Sequence, residues 1–90
     1  MWQEEDNKLK SSFTFKDFEQ AMEFMQEVAV VAGEMDHHPW WSNMYNKVDI
    51  ELSTHDAGNT VTIRDHKLAT RIEEIYKASY ESGVPGAGAD

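Results

Sequence analysis

The chain contains no cysteine. That excludes disulfides and thiolate metal sites, and it fits a reducing compartment. Basic residues are scarce: eight Lys and Arg against seventeen Asp and Glu give a formal charge of −9. A nucleic-acid binder needs a basic face to displace counterions from phosphate, so direct contact with DNA or RNA is disfavoured. An anionic membrane surface is disfavoured for the same reason. Long apolar runs are also missing. The longest, Val28 to Ala32, falls far short of the roughly 20 residues of a membrane span. The opening MWQEEDNKLK has neither the basic nor the apolar region of a secretory signal, and no segment repeats. These absences together predict a cytoplasmic protein. A chain of 90 residues makes one domain. It buries only about 60–65% of the surface it exposes unfolded, so a site belongs in a surface cleft or at a subunit contact.

What is present is a sequence of two periodicities. Lys8 to Phe15 alternates, with Leu9, Ser11, Phe13 and Phe15 on one face, and Trp2 to Glu5 can pair with it across Asp6-Asn7 as a hairpin. From Lys16 to about Gly33 the period becomes helical through Phe18, Ala21, Met22, Met25, Val28, Ala29 and Ala32, and Gly33 offers a left-handed stop ahead of Pro39. Val48, Ile50 and Leu52 alternate with charged residues as a strand, and Thr60 to Ile63 reads as another. Asp65 is placed to N-cap a last helix carrying Leu68, Ala69, Ile72, Ile75 and Tyr76. The order β-β-α-β-β-α predicts an α+β fold, a four-stranded antiparallel sheet with helices on one face. The domain would span residues 1–81, and the patternless residues 82–90 would form a flexible tail.

Three of the four histidines fall between Gly33 and Asp56. His38 precedes a proline and is pushed into extended backbone, so His37 and His38 point to opposite sides while Asp36 and His38 share one. His55 meets them only if the chain doubles back. Residues 39–45 reach at most about 25 Å, and a strand over 46–54 runs roughly 30 Å, so the lengths permit it. Imidazoles gathered in one pocket suit elimination, where a proton and a hydroxide leave adjacent atoms. They equally suit zinc, although adjacent histidines diverge too much to serve one metal easily. They can also be three unrelated surface residues, and composition and spacing leave all three readings open. Trp40 and Trp41 can wall a pocket for a flat heterocycle, or pack in a core or interface. His66 reads as an exposed helix residue.

The stretch HHPWWSNMYNKVDIELSTHDAGNTVTIRDHKLA closely resembles the pterin-4a-carbinolamine dehydratase family. The signature is His37-His38-Pro39, Tyr45 six positions beyond the proline, the Thr54-His55-Asp56 turn, and Asp65. FTFKDFEQAMEFMQEVAVVA resembles the family's long helix and the strand entering it, and the likeness runs from Trp2 to Tyr80. Two departures stand out. Gly33 occupies a position often acidic in the family, with Glu34 one place late, and the short helical segment many relatives carry before the first-strand tryptophan has no counterpart. The resemblance implies dehydration of a 4a-hydroxytetrahydropterin to the quinonoid dihydropterin, which recycles the pterin cofactor of aromatic amino acid hydroxylases. His38 and His55 would move the protons, and His37 would orient the pterin with a share in proton transfer. Pro39, Trp41, Ser53, Thr54 and Asp65 would contact substrate. No metal or organic cofactor is implied, and the assembly would be a homodimer or homotetramer. Animal relatives also serve as dimerisation cofactors for a transcription factor, so an interaction protein using the helix after Phe15 is the alternative.

Overall fold

The computed structural model describes residues 1–84. Strands β1 (Gln3–Glu5) and β2 (Lys8–Thr14) precede helix α1 (Phe18–Met35); strands β3 (Trp40–Met44) and β4 (Lys47–Leu52) precede helix α2 (Ile63–Ser79). The sheet is antiparallel throughout, in the order β1-β2-β4-β3. This is the α+β, four-stranded arrangement expected. The first hairpin turns at Asp6 and Asn7, both with positive φ, the pairing a two-residue turn needs to match strand twist.

Alternation along β2 and β4 sends Leu9, Phe13, Val48, Ile50 and Leu52 to one face. There α1 contributes Ala21, Phe24 and Val28, and α2 contributes Leu68, Ile72 and Tyr76. Phe13, Phe15, Phe24, Tyr76 and Tyr80 interlock with ring centroids 4.8 to 6.1 Å apart. Each fully buried ring contributes about 1.5–3 kcal/mol, which makes this cluster the main anchor of both helices. The opposite face of the sheet carries Lys8, Lys10, Ser12, Asp49, Glu51, Trp40 and Ser42, and no helix covers it among the described residues.

Several boundaries differ from those read in the sequence. Helix α1 runs past Gly33 to Met35, and the left-handed residue is Asp36, at φ 50°. The Asp36 amide bonds to the Gly33 carbonyl at 3.2 Å and the His37 amide to Ala32 at 3.0 Å, a Schellman closure. Gly33 faces open space and is not needed for the stop. The segment 39–45, for which the sequence suggested only a reach, is itself mostly β3. Thr60 to Ile63 is not a strand: Thr60 makes a single bridge to Thr54, and Ile63 opens α2. The N-cap is Thr62 and Asp65 is its capping-box partner. Glu81–Gly83 form a 3-10 turn, and the remainder of the tail expected over 82–90 lies outside the described residues from 85 on.

Candidate active site

The site is built where three chain segments end at the same edge of the sheet. The Schellman closure of α1 ejects the chain at Asp36 and sends His37 inward, so that it is only 6% exposed. Pro39 holds His38 extended and exposed as the chain enters β3. The β3–β4 hairpin, braced by the Asn43 amide on the carbonyls of Tyr45 at 3.2 Å and Lys47 at 2.9 Å, carries the chain out and back. It delivers Ser53, Thr54 and His55 beside the histidine pair, His55 opening a short 3-10 turn. Arg64 donates to the Asp36 carbonyl at 3.0 Å and ties the start of α2 to the end of α1.

Behind the cleft lies a closed polar cluster. Asp65 is fully buried. Its carboxylate accepts the Thr54 hydroxyl at 2.7 Å and the Thr62 amide at 2.9 Å, and it meets His37 Nε2 at 2.5 Å. Burial by itself pushes the Asp65 carboxyl up. The His37, Thr62 and Thr54 hydrogen bonds and the His37 charge outweigh it and hold the group below its ordinary value. An ionised Asp65 fixes the protons around it. His37 must carry hydrogen on Nε2, Thr54 gives its only hydroxyl proton to Asp65, and Thr62 therefore donates in the 2.6 Å Thr54–Thr62 contact. His37 is thus held in one tautomer, with Nδ1 left for exchange. His55 Nδ1 meets the Asn59 side-chain oxygen at 3.0 Å, so His55 donates from Nδ1 and presents Nε2.

Two adjoining cavities share His38, Ser53 and His55. The smaller, about 370 Å³, also takes in Asp36, His37, Thr54, Asp56 and Arg64. The larger, about 680 Å³, opens onto the uncovered sheet face and adds Lys8, Pro39, Trp40 and Glu51. Among the expected site residues, the three histidines, Pro39, Ser53 and Thr54 are brought together here. Asp65 lines neither cavity and touches the site through His37 and Thr54. Trp41 pairs with Ile50 on the helix-covered face and packs against the core, whereas its neighbour Trp40 stands 59% exposed at the cavity. Lys8, Glu51 and Arg64 were not singled out in the sequence, and Asp36 and Asp56 were named there only as neighbours of the histidines. For Lys8 and Glu51 the signal was their outward position on alternating strands. Exposed His66 lies in separate grooves along α2. Among the described residues no three His, Asp or Glu side chains are placed to hold a metal ion.

An α+β domain with a histidine-lined cleft at the end of a half-open sheet is the class of protein defined so far. The chain belongs to the pterin 4 alpha carbinolamine dehydratase family, whose model matches residues 1–75. A protein of Synechococcus sp. (strain WH7803) named "Putative pterin-4-alpha-carbinolamine dehydratase" is 49% identical over 74 residues, covering 82% of this chain and 78% of that one. A crystal structure titled transcriptional coactivator/pterin dehydratase, from Brucella melitensis, superposes with a TM-score of 0.78 at 45% identity, over 82% of this chain and 80% of that one. A pterin dehydratase-like protein described as a RuBisCO assembly factor in the alpha-carboxysome shares the fold, with a TM-score of 0.67 at 21% identity over 83% and 86% of the two chains. No helix among the described residues is long and apolar enough to cross a membrane.

Proposed function

We propose that the protein is a cytoplasmic hydro-lyase that converts 4a-hydroxytetrahydropterin to quinonoid dihydropterin and water, returning the cofactor of aromatic amino acid hydroxylases. The observation that carries this reading is a single cleft bounded by His37, His38 and His55. Dehydration removes hydroxide from C4a and a proton from the adjacent N5, and the electrons of the N5–H bond form the C4a=N5 double bond. Nothing is oxidised or reduced, so the reaction calls for no redox cofactor. One group must accept the N5 proton while another protonates the departing hydroxyl. His38 and His55, the two exposed imidazoles of the cleft, are assigned these roles. His37, fixed by Asp65, orients the substrate and can exchange a proton through Nδ1. The direct test follows quinonoid dihydropterin by absorbance after mixing the protein with freshly generated adduct. Acceleration over the uncatalysed reaction is expected, and none from folded protein would reject the reading.

A second reading, an interaction protein without catalytic role, is favoured by one feature of α1. Phe18 and Val30 stand 43% and 61% exposed there, on a helix that buries Phe24, Val28 and Val31 in the core. The first reading expects a homodimer or homotetramer to cover such residues. Oligomeric state against concentration separates the two, because a partner-seeking protein would stay a smaller species with that helix open.

A further inference from the structure

The larger cavity contains an arrangement that the elimination itself does not use. Three neighbouring strands place Lys8 of β2, Glu51 of β4 and Trp40 of β3 at the same end of the uncovered sheet face. Cross-strand register sets Glu51 opposite Lys10, the partner expected from position alone. Lys10 instead turns to Glu5 at 3.3 Å and Asp6 at 3.5 Å, and Lys8 takes the Glu51 carboxylate at 3.3 Å from the histidine side. The carboxylate is thereby drawn toward the cavity. Side chains of Lys8 and Glu51 remain 45% and 27% exposed, so solvent screens the pair and it adds little to stability. Trp40 lies beside Glu51 in the ladder with its indole outside the core.

We infer that Lys8, Glu51 and Trp40 form a specificity subsite for the group carried on C6 of the pterin, one that favours a hydroxylated chain over a bare alkyl group. The inference rests on the dehydratase reading and extends it. The reacting C4a–N5 bond has to reach His38 and His55, which stand at the junction of the two cavities. From that bond the pyrimidine ring extends on the C4a side and the C6 substituent on the N5 side, so the two parts enter different compartments. The pyrimidine edge, an amide carbonyl followed by the N3–H and 2-amino donors, matches the smaller compartment with Asp36, Asp56 and Arg64. The C6 substituent then falls in the larger one. A hydroxyl both donates and accepts, so it can bridge the Glu51 carboxylate and the Lys8 ammonium, while the indole of Trp40 covers the carbon chain. A methyl group meets the same charged pair and adds no hydrogen bond to it.

The test compares kcat/KM for 4a-hydroxy adducts carrying a 6-dihydroxypropyl or a 6-methyl group, in the wild type, Glu51→Ala and Lys8→Met. The wild type should prefer the hydroxylated adduct on the order of ten-fold, the scale of a partly exposed charge-assisted hydrogen bond. In both variants that ratio should fall toward one, through a raised KM for the hydroxylated adduct. A wild-type ratio near one, a ratio unchanged in both variants, or equal losses on both adducts would overturn the subsite while leaving dehydration standing. Failure to accelerate either adduct would overturn the dehydratase reading, and the subsite with it. Far-ultraviolet circular dichroism of each variant separates these results from misfolding.

Discussion

Asp65 is the residue on which the histidine cleft rests, although it never reaches the cleft surface. A fully buried carboxylate is tolerable only if both oxygens are hydrogen-bonded, and His37 on one and Thr54 and Thr62 on the other do this. Asp65→Asn puts an NH2 group against one of these donors and removes the charge. Breaking a buried pair of this kind costs about 3–5 kcal/mol, which urea unfolding would register as a lowered midpoint at unchanged slope. Thr54→Val is the milder change, removing one donor and one acceptor at a cost of about 1–2 kcal/mol. Its turnover should drop because Asp65, still paired with His37, loses the hydroxyl that steadies its carboxylate, and the kcat of stable Thr54→Val protein checks this. Equal kcat to wild type would mean the Thr54–Asp65 link is irrelevant to chemistry.

At the scale of elements, the two helix ends that face the cleft do the positioning, and each depends on one small polar residue. Thr62 caps α2, and replacing it with Ala should cost about 1 kcal/mol for the cap alone. Asp36 closes α1 in the left-handed region. Asp36→Gly should match or exceed wild-type stability, while a β-branched Asp36→Val should lose about 1–2 kcal/mol. Thermal or urea unfolding of the pair gives the sign directly. These ends were the parts least legible in the sequence. Periodicity located both helices and the strands at Lys8 and Val48, because core burial imposes it on every turn and pleat. Gly33 was a plausible stop, but a helix ends where the closing hydrogen bonds form, and those belong to Asp36 and His37. Thr60 to Ile63 alternates like a strand, yet lacks a partner beyond one bridge. Strand β3 was hidden by Pro39 and the paired tryptophans, whose opposite faces emerge only from the register with β4. The histidines, Ser53 and Thr54 were visible as candidates. Their convergence, and the part played by Lys8 and Glu51, needed the hairpin.

For the whole molecule, stability should fall at both ends of the pH scale for identifiable reasons. Asp65 is held below its unfolded value near 4, so its contribution is complete above that value and is lost as pH falls through the lower folded one. At the other end burial, the hydrogen bond to Glu27, and the Glu27 and Glu23 charges all hold the Tyr80 hydroxyl neutral, well above its ordinary value. That contribution is present below about pH 10 and is lost as pH rises beyond it. Tyr80→Phe should remove part of the alkaline fall and Asp65→Asn part of the acid fall, each read from unfolding midpoints across pH. The helices, the sheet and the buried cluster thus form one frame whose half-open face ends in the cleft.

The most direct test of the central claim, that these histidines are gathered for proton transfer, is turnover of 4a-hydroxytetrahydropterin by wild type, His38→Ala and His55→Ala side by side. Both side chains are exposed, so the folds should persist, and each variant should lose on the order of 10²–10⁴-fold in kcat. Near-wild-type turnover in both folded variants would contradict the account.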